Sequence, residues 1–278
     1  MYLTTVLCIV KNMNKIIITL CLIFLISCSP SKVDTEDLVK KNGIYYPVNS
    51  KIPFSGAKVH YHGNGRLRIK ENYKDGKLEG PTEAYLENGQ LKTKDNFKSG
   101  KKDGLSETYY PNGQLSTKEN YKDGKREGFT ESYYENGHLK MRVEYLDGKE
   151  EGLSEGYYEN DLLQFKRNFK NGSYEGPYET YYEDGQLLSK GNYKDGKLEG
   201  LSETYYDNGQ LQVKRNYKDG KEEGLFERYY ENGQLQVKKN YIDGKEEGLF
   251  ETYYENGAVK KIGCYKKGTY LEKSHCTN

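Results

Sequence analysis

From Glu71 to Ile262 the apolar, polar and turn-forming positions recur every 24 residues, eight times and without a gap. Each copy holds two short runs of alternating strand formers separated by turn residues. In the copy around residue 110, Leu105 to Tyr110 is one run, Pro111-Asn112-Gly113 breaks it, and Gln114 to Lys122 is the next, closed by Asp123-Gly124. Asn-Gly between two such runs predicts a two-residue hairpin loop with both loop residues at positive φ. That loop would set Tyr110 opposite Leu115, Thr108 opposite Thr117, Glu107 opposite Lys118 and Gly104 opposite Tyr121. The Asp-Gly turn leaves the register open, since Asp-Gly-Lys-x-Glu-Gly also suits a longer loop. A gapless period of this length means stacked copies of one unit, each touching mainly its neighbours. The expected fold is all-β: an elongated, twisted, largely single-layer antiparallel meander of eight to nine hairpin repeats.

The expected register pairs residues that suit one another. Glu would face Lys or Arg in seven copies, from Glu83–Lys94 to Glu227–Lys238, and Glu251 would meet Ile262. The recurring Gly, from Gly80 to Gly248, would face Phe or Tyr, with the ring lying over the Gly. Strand alternation then gives two faces. Tyr110, Thr108, Leu115, Thr117 and Tyr121 form the more apolar, better-packed one. Tyr109, Glu107, Lys118 and Leu105 form a ladder of Tyr and ion pairs open to water. At about 4.8 Å per strand the array spans roughly 75–80 Å. Asn160-Asp161 replaces Asn-Gly in one copy, where a looser turn or a bend is expected because Asp tolerates positive φ less well than Gly.

Composition fits a thin sheet better than a thick core. Hydrophobic residues are 34% and charged residues 31% of the 278, with 29 Tyr and no Trp. Removing residues 1–27, which hold only Lys11 and Lys15 as charges, takes the chain from 43 basic and 42 acidic residues to 41 and 42, a net charge of −1. That balance gives no electrostatic case for nucleic acid, which wants a basic face.

The N-terminus differs from the rest. Lys11 and Lys15 precede the apolar run Ile16 to Ile26, a secretory-signal pattern too short for a membrane span. Leu25-Ile26-Ser27-Cys28 resembles the bacterial lipobox, which implies that Cys28 is acylated and becomes the mature N-terminus. Ser29 after it, by resemblance to enterobacterial sorting, leans to the outer membrane or cell surface rather than the inner membrane. The expected organisation is a signal peptide at 1–27, with 1–12 an extension ahead of a natural start at Met13. The lipidated Cys and a tether follow at 28–42, a degenerate repeat or cap at 43–70, eight repeats at 71–262 and a C-terminal cap at 263–278. Pro47 and Pro53 suit an edge that must not pair with another chain. Cys264 and Cys276 remain after processing, and in an exported protein they suggest a disulfide stapling the last edge.

Y-x-x-G-K-x-x-G followed by Y-Y-x-N-G-x-L resembles the bacterial MORN-repeat variant, over about residues 43–268. The resemblance implies a β-hairpin repeat sheet with a binding role and no defined ligand. Some bacterial proteins of this type are labelled antitoxin components, and eukaryotic MORN proteins are associated with membranes and scaffolding.

Catalytic and metal chemistry finds little footing. His60-x-His62 would share a strand face, but a metal site needs three or four ligands and no third His or Cys is near. In the Asp-Gly turns, Lys sits between the acids, which does not suit calcium. Nucleophile-elbow, zinc-protease and phosphate-loop motifs are absent from the sequence. No enzyme activity, cofactor or metal is expected. The reading is a lipid-anchored envelope protein that presents its repeat surface to a protein partner. Its alternatives are a glycan or cell-wall binding module and an antitoxin-like inhibitor of a toxin. The candidate surface is the row Tyr109, Tyr133, Tyr157, Tyr181, Tyr205 and Tyr229. The end caps and the positions that vary between copies (Thr82, Ser106, Thr130, Ser154, Tyr178) are expected to carry selectivity.

Overall fold

The computed structural model describes residues 32–34, as backbone, and 38–272. Cys28, the leader and Cys276 lie outside these residues. Among the described residues there is no helix. Among the described residues the main sheet has 25 strands, of which 24 form an antiparallel meander that does not close into a barrel. Successive hairpins pair edge to edge in chain order, as short connections require.

The expected cross-strand pairs form at most positions. Thr108 lies opposite Thr117, Glu107 opposite Lys118 and Gly104 opposite Tyr121. The Leu115 pairing differs. Leu115 faces Tyr109, not Tyr110, and the register shifts by a bulge before Thr117. The cause is the turn type. Gly113 N–H donates to Tyr110 O at 2.9 Å and Tyr110 N–H donates to Gln114 O at 2.8 Å. Gly113 has φ 86°, whereas Asn112 is not at positive φ. This is a three-residue loop, a type I turn closed by a left-handed Gly. Asn112 is held in it because its Oδ1 accepts the Gln114 N–H at 2.9 Å and its Nδ2 donates to Glu135 O in the next copy at 2.9 Å.

The two-residue loop belongs to Asp-Gly instead. Asp123 and Gly124 both have positive φ, 50° and 86°, and Lys122 pairs directly with Lys125. Pairing then slips: Tyr121 faces Arg126, yet Lys118 faces Glu131. The slack is taken up at Glu127-Gly128, where Glu127 N–H donates to Asn120 O at 2.9 Å and Gly128 has φ 77°. The recurring Gly is therefore a bulge residue that needs the left-handed region. A Cβ at Gly80, Gly128, Gly200, Gly224 or Gly248 would meet nothing within 4 Å, so no ring lies over these glycines. The expected role of the facing aromatic is corrected: it is a register partner, and the Gly is there for its φ.

Asp161 adopts φ 66°, like the Gly it replaces. Its N–H still closes the turn on Tyr158 O at 3.1 Å, and Tyr157 still faces Leu163. The expected loosening at this turn is therefore not found, because Asn160 keeps both of its bonds, to Leu162 N–H at 3.0 Å and to Glu183 O at 2.8 Å.

The face holding Ser106, Thr117 and Glu119 is the tighter one. Val143, Val213 and Phe226 are buried on it, with Ser106, Ser154 and Ser202. The hydroxyls of Thr82 and Thr130 are buried there without a hydrogen-bond partner. Thr82, Ser106, Thr130 and Ser154 thus serve packing rather than the expected selectivity, whereas Tyr178 on the same face is only half-buried. The densest core sits at the N-terminal end, where Phe54, Ala57, Val59 and Tyr73 are buried. Tyr45, on the small hairpin Leu38–Lys41 and Ile44–Pro47, packs against Tyr73 with ring centroids 5.0 Å apart. Gly56–Tyr61 and Leu67–Lys74 pair in the register of the later copies, with Gly56 opposite Tyr73. Lys32–Asp34, in the segment expected to be a tether, runs parallel to Gly56–Tyr61. It occupies backbone groups that an edge strand would otherwise leave open.

Candidate functional site

The second face is built from one tripeptide, Glu-x-Tyr. Two residues apart on a strand, the two side chains stand on the same side. Each phenol in the candidate row donates to the Glu two residues before it. The distances are 2.9 Å for Tyr109, 2.9 Å for Tyr133, 3.2 Å for Tyr157, 2.7 Å for Tyr181, 2.9 Å for Tyr205 and 3.0 Å for Tyr229. Tyr85 and Tyr253 do the same with Glu83 and Glu251. These rings are half-buried, not open to water as expected. Burial first, and then the carboxylate at the hydroxyl, push Tyr133, Tyr181 and Tyr229 up to about 12.

Each Glu also stands between two basic residues. Glu131 faces Arg142 on one side and Lys118 on the other. Every Glu from Glu83 to Glu227 holds this place, and Glu251 has Lys238 on one side and Ile262 on the other. The result is an unbroken row of alternating charge from Lys70 to Glu251. Val59 and Ile262 stand at its ends. The closest contact is Lys190 Nζ to Glu203 Oε2 at 3.0 Å. Burial pushes the Glu203 carboxyl up, but the Lys190 ammonium and the Tyr205 hydroxyl outweigh it and hold the group below its ordinary value.

The second Tyr of each doublet, expected only as part of the more apolar face, joins the copies. Tyr110 donates to Tyr133 O at 2.7 Å. Tyr134, Tyr158, Tyr182, Tyr206 and Tyr230 make the same bond one copy further on, at 2.7 to 2.9 Å. The recurring Tyr-Tyr doublet was the available signal. His62 stands in this slot and its Nε2 contacts Tyr85 O at 2.9 Å. His60 lies 3.8 Å from Glu71. Among the described residues no group of three or more His, Cys, Asp or Glu could hold a metal. Cys264 is disulfide-bonded.

The arrangement presents a striped surface of phenol rings and compensated charges along the array. Its hydroxyls and carboxylates are engaged with one another.

A chain in the crystal structure of TcdB2-TccC3-Cdc42 aligns at 16% identity with TM-score 0.20, covering 77% of this chain and 14% of that one. Alternansucrase in complex with isomaltononaose aligns at 14% identity with TM-score 0.19, covering 86% and 18%. Both scores are too low to argue from, and the chain spans less than a fifth of either. No curated protein matches it. The profile of the MORN repeat variant matches seven segments: 78–99, 102–123, 126–147, 174–195, 198–219, 222–243 and 246–267. Together they make up more than half of the chain, and each carries the Tyr, Gly and turn positions described above, so the chain belongs to the MORN repeat variant family.

Proposed function

We propose that this repeat-based binding module is a non-enzymatic, lipid-anchored protein of the bacterial envelope that holds a protein partner along its Tyr and charge-ladder face. The observation that carries the binding role is the unbroken ladder from Lys70 to Glu251. It keeps one face chemically uniform over the whole array while its own charges are balanced. A surface of this kind adds many modest contacts in register rather than one deep pocket. The anchor rests on Leu25-Ile26-Ser27-Cys28 following an apolar run.

The test is expression in a Gram-negative host, with fractionation and cross-linking in the envelope. The wild type is expected in the detergent-soluble membrane fraction, with leader processing blocked by globomycin. Cys28→Ser is expected to lose lipid-dependent processing. A discrete cross-linked protein partner should be recovered with the wild type. Recovery of the unprocessed wild type from the cytoplasm would sink the anchor, and capture of glycan without protein would sink the partner class.

A further inference from the structure

The packed face carries a second charge pattern, spaced seven residues apart. Asp95 pairs with Lys102 at 2.8 Å, Glu119 with Arg126 at 2.7 Å, Arg215 with Glu222 at 3.4 Å and Lys239 with Glu246 at 2.5 Å. At the same two positions in the middle of the array stand Arg167 and Tyr174. The Arg167 guanidinium donates to the Tyr174 hydroxyl at 2.9 Å and lies 3.9 Å from the centroid of the Phe165 ring. Its Nε is buried with no hydrogen-bond partner. Among the described residues no carboxylate pairs with it.

Departures from the repeat also bring aromatic rings in beside this cation. Gly156 faces Phe165, and the ring fills the place a Cβ would take. Gly191 faces Tyr178, whose ring carbon lies 2.6 Å from where a Cβ would stand. Tyr174 and Tyr178 each pack on Tyr193, with centroids 5.0 and 5.1 Å apart. Together these rings and Arg167 line a half-enclosed cleft of about 240 Å³. Glu179 borders it, but that carboxylate belongs to the other face, where it accepts the Tyr181 hydroxyl. Phe165 and Arg167 fall in the stretch between 147 and 174 that the family profile passes over.

The cleft thus offers an uncompensated guanidinium fork between aromatic walls. A fork of this kind takes a carboxylate with two parallel hydrogen bonds, and ring faces take the apolar atoms beside it. A sugar would need free directional partners for its hydroxyls. Here Tyr178 Oη is engaged with Ser202 Oγ at 3.2 Å and Thr180 Oγ1 with Ser189 Oγ at 2.6 Å. We propose that the cleft is an anchor site for an Asp or Glu side chain of the protein partner, next to an apolar residue that lies on Tyr174 and Tyr178. This rests on the reading above that the partner is a protein, and gives that partner a contact on the face opposite the Tyr and charge ladder.

The experiment is calorimetric titration of the full-length protein with acetyl-Phe-Glu-Phe-amide, with its Gln counterpart and with glucuronate, followed by partner capture from the envelope. The Glu peptide is expected to bind about tenfold tighter than the Gln peptide, and Arg167→Gln to remove that difference. Arg167→Lys keeps the charge without the fork, and should weaken the preference if Arg167→Gln does not fold. Arg215→Gln, which loses a compensated pair, should leave the preference intact. Equal binding of the two peptides, no binding of either, or tighter binding of glucuronate would overturn the proposal. Undiminished partner capture by Arg167→Gln would remove the cleft as anchor while the partner reading stands. A wild type that selects the Glu peptide but captures no partner would support the cleft chemistry and refute the partner reading.

Discussion

A phenol that donates to a carboxylate cannot ionise without placing two negative charges side by side. That holds at all eight Glu-x-Tyr pairs, and all eight phenols are raised above their ordinary value, by burial first and by the Glu second. The sign of the pH dependence follows. A group whose pKa is raised in the folded state contributes stability that is fully present below its unfolded value, and loses it as pH rises through the folded value. The unfolded value is about 10, and the folded value is about 12 at Tyr133, Tyr181 and Tyr229. The urea midpoint should therefore hold level to about pH 9 and fall steeply between about pH 10 and pH 12. Phenolate absorbance separates this from Lys titration. Most ladder phenols should ionise only with unfolding, and phenolates that all appear at the ordinary value in the folded protein would contradict the pairing.

At the level of the hairpin, the two turns divide the labour. The Asp-Gly turn reverses the chain in two residues, and its amide is taken by an acid of the previous copy, as when Asp219 N–H donates to Glu199 at 2.9 Å. The Pro/Glu-Asn-Gly turn spends three residues, and its Tyr and Asn reach forward instead. Tyr158→Phe removes one such reach, the 2.7 Å bond to Tyr181 O, without disturbing the ring. It should cost about 1 kcal/mol, read as faster amide exchange across the two adjoining hairpins and little change at the ends of the array. Uniform acceleration along the whole chain would mean that the copies do not uncouple locally. The strands and the Glu107–Lys118 and Gly104–Tyr121 pairs were legible in the sequence because period and charge complement agree there. The turn types were not. Asn-Gly is compatible with either loop, and what decides is Asn112 reaching Glu135 O, a partner 23 residues away. The varying positions were misjudged for a related reason. Between copies they differ in size, and in the fold Ser154 and Phe226 are both buried on one face, so in those copies the variation adjusts packing, while Tyr178 is left half-buried.

For the whole molecule, stability should sum over copies and their interfaces rather than depend on one core. The alternating ladder makes this testable, because removing a whole period preserves it while removing half a period does not. Deleting Gly220 to Asp243 joins Asp219 to Gly244, keeps an Asp-Gly turn and brings Lys214 opposite Glu251. It leaves the cleft at Arg167 intact. This variant is expected to fold with an undiminished strand signal per residue in circular dichroism, to melt cooperatively and to keep any partner binding that depends on the cleft. Deleting only Gly220 to Glu231 joins Asp219 to Asn232, replaces the two-residue turn and removes one strand of a pair. Every later hairpin would then present its Glu-x-Tyr face in the wrong register to its neighbour. Loss of cooperative melting in this shorter deletion alone would show that the 24-residue period is the unit in which the structure is stable. Equal tolerance of both deletions would place stability in single strands, and equal collapse would place it in a global core that the buried residues do not form.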